Sequence, residues 1–347
     1  MVFSNFCLLL ILQRKSRTFL RDDSKEVALL SDFGLDHYDE LDASNAEGDH
    51  GGSWARACSR KGIRPLLKEF SSIRKYMPKD VTTEAFNKNL NKNRYTDVLC
   101  LDKTRVILRG RTKDNDYIHA NWVELPSHRK YICTQGPLNE TVEDFWLMED
   151  AQAVIMLCDT IESGESKCAE YYPPSCGEMM QCGGIKLKNE RKEEGIDTME
   201  FHELSIHIGD NVHKVTHIKW RDWPDRVSPN SPLPIVHLLT RMRPLSEKGP
   251  IVVHCSAGIG RTGTYCALDY ATDKITAASP LSIPKVVKEI RNQRLHSVQS
   301  MLQYLYLHVC LLEYLIITKA TNRTPQTRKF QRDYEKYLKK FNQRTAK

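Results

Sequence analysis

The segment PIVVHCSAGIGRTGTYCAL (250–268) constrains this chain more tightly than any other. An apolar, β-branched run reads as a buried strand, the glycines after it as a tight turn, and the residues after those as a helix. A strand that turns through glycines into a helix builds an anion site. Backbone N–H groups point inward, and the helix N-terminus adds partial positive charge. Three readings compete for this turn. Gly258, Gly260 and Gly263 spell G-x-G-x-x-G, but no βαβ unit supplies the acid that a dinucleotide site needs. A nucleotide P-loop needs lysine after its last glycine, where Thr264 stands. Cys255 and Arg261 bracket five residues, a C-x5-R loop in which the arginine can grip phosphate oxygens with two prongs. The third reading accounts for the most residues. A cysteine at a strand end is ordinarily an inert buried thiol. An ordinary thiol has a pKa of about 8.5, which inward N–H groups, a helix N-terminus and an arginine lower. Thr262 is positioned in sequence to donate a further hydrogen bond to the sulfur.

Composition narrows the class. Of 347 residues 40% are hydrophobic, as in a globular core, and the formal net charge of +7 is unevenly spread. Residues 22–49 hold ten acids and one lysine, and residues 319–347 hold ten Lys/Arg and two acids. The balanced body between them argues against nucleic-acid binding, which needs a basic face on the folded domain. The 11 cysteines form no CxxC pair and mostly sit in apolar runs. That pattern fits reduced thiols in a cytoplasmic protein and gives no metal site. The apolar opening MVFSNFCLLLIL is too short to span a bilayer, and its basic residues follow it rather than precede it, unlike a secretion signal.

The chain divides into an acidic, disordered arm (1–60) ending in linker-like Gly48, Gly51, Gly52 and Ser53, a body (61–318) and a basic tail (319–347). Within the body, 131–134, 153–158 and 251–254 read as strands, and 139–150, 232–243, 262–275 and 300–317 as helices. Pro284 opens a further helix. The Pro- and Gly-rich stretch 173–184 reads as a surface loop. The expected fold is an α/β (α+β) domain built on a twisted mixed sheet flanked by helices. In the tail, Phe330, Tyr334, Tyr337, Leu338 and Phe341 share one helical face among basic residues. Three partners suit that face or its charge: the domain itself, weak contact with an anionic membrane surface, and the acidic arm.

HCSAGIGRTG (254–263) resembles the active-site signature of the protein tyrosine phosphatases. Six further motifs follow the order of that family: NKNRYTDV (91–98), NDYIHAN (115–121), TQGP (134–137), ESGESKCAEYYP (162–173), WPD (223–225) and SVQSMLQY (297–304). The resemblance covers roughly 61–318 and is to non-receptor-like members with one catalytic domain. It implies hydrolysis of phosphotyrosine in proteins with no metal and no organic cofactor. Cys255 is the implied nucleophile, and Ser256, Ala257, Gly258, Ile259, Gly260 and Arg261 are the implied phosphate cradle, supported by His254 and Thr262. Asp225, held behind Trp223 and Pro224, is the implied proton donor, since a phenol leaving group needs protonation. Gln299 and Gln303 resemble the side chains that orient the attacking water. Tyr95 walls a pocket deep enough for phosphotyrosine but too deep for phosphoserine, and Asp97 resembles the residue that holds the substrate backbone. Glu162 is expected to pair with Arg261, and Lys167 to contact the acid loop.

The chain departs from the family pattern at three positions. Val227 stands where glycine is expected after the acid, and a β-branched residue tolerates positive φ poorly. His119 replaces a common Asn, and Tyr172 a common Trp. The departure at Val227 keeps open an alternative, a weakly active or inactive module that only binds phosphotyrosine.

Overall fold

The computed structural model describes residues 49–148, 151–195 and 199–345. The apolar opening, nearly all of the acidic arm, the last two residues of the helix expected at 139–150 and the last two residues of the chain lie outside them. Helices α1 (His50–Lys61), α2 (Ile63–Ile73) and α3 (Glu84–Lys88) precede strands β1 (Arg105–Ile107), β2 (Tyr117–Glu124) and β3 (Lys130–Gln135). Next come α4 (Val142–Trp146), β4 (Ala153–Met156) and a small hairpin, β5 (Ile161–Glu162) and β6 (Glu165–Ser166). A meander of β7 (Met179–Cys182), β8 (Ile185–Glu194), β9 (Met199–Ile208) and β10 (Asn211–Trp220) leads to α5 (Leu233–Ser246) and β11 (Ile251–Cys255). Four helices complete the described chain: α6 (Arg261–Thr276), α7 (Ile283–Arg291), α8 (Met301–Ile317) and α9 (Pro325–Thr345).

Nine strands form one mixed sheet in the order β1-β2-β3-β11-β4-β10-β9-β8-β7. Its centre, β3-β11-β4-β10, is parallel, and both flanks are antiparallel. Parallel strands are covered on both faces, which is why β4 and β11, apolar apart from His254, are buried along their whole length. Ligands in such sheets sit beyond the carboxyl ends of the parallel strands. Cys255 is the last residue of β11, between β3 and β4.

The strand β7 runs through the stretch read as a surface loop, pairing with β8 across the two-residue turn Gly183–Gly184. The residues read as linker, Gly51 to Ser53, lie inside α1, capped by the Asp49 carboxylate. In α8, apolar side chains face all round, as in a helix enclosed by protein. It begins with a capping box in which the Ser300 side chain accepts from the Gln303 N–H and the Gln303 side chain accepts from the Ser300 N–H. In α9, Phe330, Tyr334, Tyr337, Leu338 and Phe341 are all buried. The tail's apolar face is thus packed against the protein, which removes the apolar half that a membrane-surface contact would use. Among the described residues no helix is long and apolar enough to cross a membrane.

Candidate active site

The cradle is a backbone structure. Cys255 is 3% exposed, and its sulfur accepts a hydrogen bond from the Gly258 N–H at 3.2 Å. Gly258 has φ +69°, and a Cβ there would lie 2.1 Å from the Thr134 carbonyl oxygen. A side chain at this position is therefore excluded by both conformation and space. The turn runs directly into α6, whose first residue is Arg261. Thr262 does not donate to the sulfur as expected. Its hydroxyl is buried without a hydrogen-bond partner among the described residues.

Arg261 is fully enclosed. Its Nη1 and Nη2 donate to the two Glu162 oxygens at 2.6 and 3.0 Å, and Nη1 also donates to the Trp223 carbonyl at 2.8 Å. Burial works against its charge, but the Glu162 hydrogen bonds and the neighbouring Cys255 and Asp225 outweigh it and hold the guanidinium above its ordinary pKa. Its Nε is a buried donor with no hydrogen-bond partner among the described residues. Buried donors are ordinarily satisfied, so an orphan at the end of a glycine cradle suits an anionic ligand. The amide Nε2 of Gln303 and the Oε1 of Gln299 are likewise unpaired, and both lie close to where a Cβ on Gly260 would stand, at 2.7 and 3.2 Å. Gln303 thus caps α8 through one end of its amide and lines the cradle with the other.

The Asp225 carboxylate lies 3.5 Å from Arg261 Nη2 and 3.7 Å from Lys167 Nζ, so the acid loop is seated on the cradle. Trp223 is buried beneath it, its indole N–H donating to the Val227 carbonyl at 3.0 Å. The left-handed residue of this loop is Arg226, with φ 61°, not Val227. The strain expected at Val227 is therefore absent. A long unbranched side chain carries the positive φ instead, at lower cost.

Tyr95 packs with Val98, Ala257 and Ile259, and its hydroxyl shares a 2.7 Å hydrogen bond with the Ser256 hydroxyl. Burial raises the phenol's pKa, which keeps it neutral. Arg94 fixes this wall by donating to the carbonyls of Gly136 and Pro137, and Gln135 accepts from the Arg94 N–H. Asp97 is half-buried near His296, whose own burial holds its imidazole down to about 4 despite that carboxylate.

Beneath the cradle lie His119 and His254, both noted from the sequence, together with Arg294, which no motif singled out. Arg294, fully buried, donates to the carbonyls of Gly258 and Ala257 and to Asn121, and contacts His119 Nδ1 at 3.2 Å. His119, whose Nε2 pairs with the Val98 carbonyl, is held down to about 3 by burial and by Arg294. His254 shares the Tyr171 hydroxyl with His217 at 2.7 and 2.6 Å, and Tyr172 stacks on His217. An arginine such as Arg294, set in the run RLHSV with no acid beside it, is the kind of signal that could have marked a buried donor. Among the described residues no cluster of His, Cys, Asp or Glu could hold a metal ion.

The family described as protein-tyrosine phosphatase has a sequence model that matches residues 89–313. The chain is 32% identical over 333 residues to receptor-type tyrosine-protein phosphatase C of Homo sapiens, which covers 90% of this chain and 25% of that protein. It is 35% identical over 276 residues to tyrosine-protein phosphatase non-receptor type 9 of Rattus norvegicus, covering 72% and 46% respectively. The chain thus spans less than half the length of these curated relatives. A solved structure concerned with the PTPN18 fingerprint on distinct HER2 tyrosine phosphorylation sites superposes with a TM-score of 0.69 at 31% identity, covering 75% of this chain and 98% of that one.

Proposed function

The chain belongs to the protein-tyrosine phosphatase family, and from that premise we propose that it hydrolyses phosphotyrosine in proteins through a phosphocysteine intermediate. The observation that carries the reading is one juxtaposition. A thiol at a parallel strand end sits in a glycine cradle closed by a buried, charged arginine with an unpaired Nε, and a carboxylate is seated above it.

In the first step the Cys255 sulfur attacks phosphorus. The S–P bond forms, the P–O bond to the tyrosyl ring breaks, and Asp225 passes its proton to the departing phenolate oxygen. Charge on the transferring phosphoryl group is met by the N–H groups of Ser256 to Gly260 and by Arg261, already oriented by Glu162. In the second step Gln299 and Gln303 orient a water, and Asp225, now a carboxylate, takes its proton. The water oxygen attacks phosphorus, the S–P bond breaks, and inorganic phosphate leaves with the thiolate restored. The Tyr95 wall, fixed by Ser256 and Arg94, favours a long flat substrate over phosphoserine. The ten cysteines among the described residues are all free, which suits work in a reducing compartment such as the cytoplasm.

The test is a panel of matched phosphotyrosine, phosphoserine and phosphothreonine peptides with the wild type and Cys255→Ser. Turnover of the tyrosine peptide alone, lost in the variant, is expected. Retention of more than a few per cent of the rate in the variant would remove the cysteine mechanism.

A further inference from the structure

The geometry points to Tyr334, on α9, as a positioning residue for Asp225, which makes the C-terminal helix a working part of the catalytic apparatus rather than an appended tail. This rests on the reading of Asp225 as the proton donor. The family model's match ends at residue 313, before α9 begins at Pro325.

Tyr334 is 1% exposed, and its hydroxyl donates to the Ser228 hydroxyl at 2.7 Å and approaches the Pro229 carbonyl at 3.3 Å. Ser228 is itself buried and follows Asp225 by three residues on the same loop. The Tyr334 ring also closes an aromatic column. It stacks on Tyr306 of α8 at 6.4 Å between centroids, and Tyr306 meets the edge of Trp223 at 5.4 Å. The Tyr306 hydroxyl donates to the Ser231 carbonyl at 2.8 Å. The loop is therefore pinned at both ends by buried groups. Arg261 holds the Trp223 carbonyl on the cradle side, and Tyr334 and Tyr306 hold Ser228 to Ser231 on the far side.

The position of Tyr334 is fixed independently of the site. Phe330, Tyr337, Leu338 and Phe341 bury the rest of the helix face, and Glu313 of α8 accepts from Arg323 and Gln331. A hydroxyl buried this deeply must keep its partner, because an unsatisfied buried polar group is costly. As long as α9 is docked, Ser228 is held, and the loop that carries Asp225 is held with it. Loss of the contact leaves the cradle and the nucleophile in place and releases only the acid.

The experiment compares wild type, Tyr334→Phe and Ser228→Ala in the full chain on two small substrates. One is phenyl phosphate, whose leaving group needs a proton. The other is 2,4-dinitrophenyl phosphate, whose leaving group does not. Each variant is expected to lower kcat on phenyl phosphate about two- to ten-fold, the equivalent of one buried hydrogen bond, with KM unchanged and little effect on the dinitrophenyl ester. In an Asp225→Asn background Tyr334→Phe should have no further effect. An equal fall on both substrates, a fall that persists without Asp225, or an unchanged kcat overturns the inference. Should Tyr334→Phe melt below the assay temperature, Ser228→Ala reads the same contact from the loop side. If Asp225→Asn by itself leaves phenyl phosphate turnover intact, it is the assignment of the acid that fails, and the two failures are told apart.

Discussion

The cradle and the acid loop face each other across a few ångströms and differ in how they are assembled. The cradle is made by consecutive residues. Cys255 ends a buried strand, Gly258 bends where no side chain fits, and Arg261 opens the helix that follows. The acid loop owes its place to distant side chains: Arg261 on the Trp223 carbonyl, Ser300 on the Arg226 carbonyl and Tyr334 on Ser228, the last 106 residues further along the chain. The residues of the cradle are therefore contiguous in the chain and braced from beneath by Arg294, whereas the loop of Asp225 is placed by side chains from several distant elements and is the part that packing changes can tune.

This contrast can be broken most forcibly at Gly258. A Cβ there meets the Thr134 carbonyl at 2.1 Å with φ at +69°, so Gly258→Ala should lose all measurable turnover and about 3 kcal/mol of stability. A denaturant melt unchanged from wild type would mean that Gly258 is not packed tightly against the Thr134 backbone of β3. Asp225→Ala should lower kcat on phosphotyrosine by about two to four decades with substrate affinity kept. On the proposed mechanism the cradle would bind phosphate without Asp225, so a matching loss of affinity would show the two regions to be one unit.

Smaller effects sharpen the same comparison. His119 supports the cradle from beneath as a neutral ring, its pKa held down from 6.5 to about 3 by burial and by Arg294. A depressed pKa contributes stability that is full above the unfolded value and is lost as pH falls from 6.5 towards about 3. His119→Asn should therefore flatten the stability profile across that window, and an unchanged acid slope in urea melts would exclude His119 as a source of acid sensitivity. The least effect is expected in the acid loop's own backbone. Arg226→Gly should leave stability level or raise it by up to about 1 kcal/mol, since glycine accepts its positive φ, whereas Val227→Gly should lower it by about 0.5–1 kcal/mol. A faster Val227→Gly enzyme would restore strain at Val227 as a brake on turnover.

The same division decides what could be read from the sequence. The central strands β4 and β11 were legible because burial on both faces writes a nearly continuous apolar run, broken only at His254. In contrast, β8 reads IKLKNERKEE, whose charged side chains hide a ten-residue strand, and the Pro- and Gly-rich composition before it masked β7. The local geometry of the cradle was legible because Cys255, Gly258, Gly260 and Arg261 lie within seven consecutive residues. Support from a distance was not. Neither the sequence around Arg294 nor that around Tyr171 names its partner, and the helical face of α9 identified Tyr334 as apolar without disclosing that its hydroxyl reaches Ser228. Gly51 to Ser53 read as linker because glycine is rare in helices. There a Cβ on Gly51 would lie 3.0 Å from Leu315, so the small residue allows α1 to approach α8 closely.

The central claim, that Cys255 itself carries the phosphoryl group, is tested most directly by acid-quenching the enzyme within its first turnover of a phosphotyrosine peptide and mapping the adduct by mass spectrometry. The account predicts a phosphoryl group on the peptide containing Cys255, absent from Cys255→Ser and longer-lived when Gln299 is replaced by Ala. Turnover at the wild-type rate with no adduct on that peptide, or an adduct on any other residue, would contradict it.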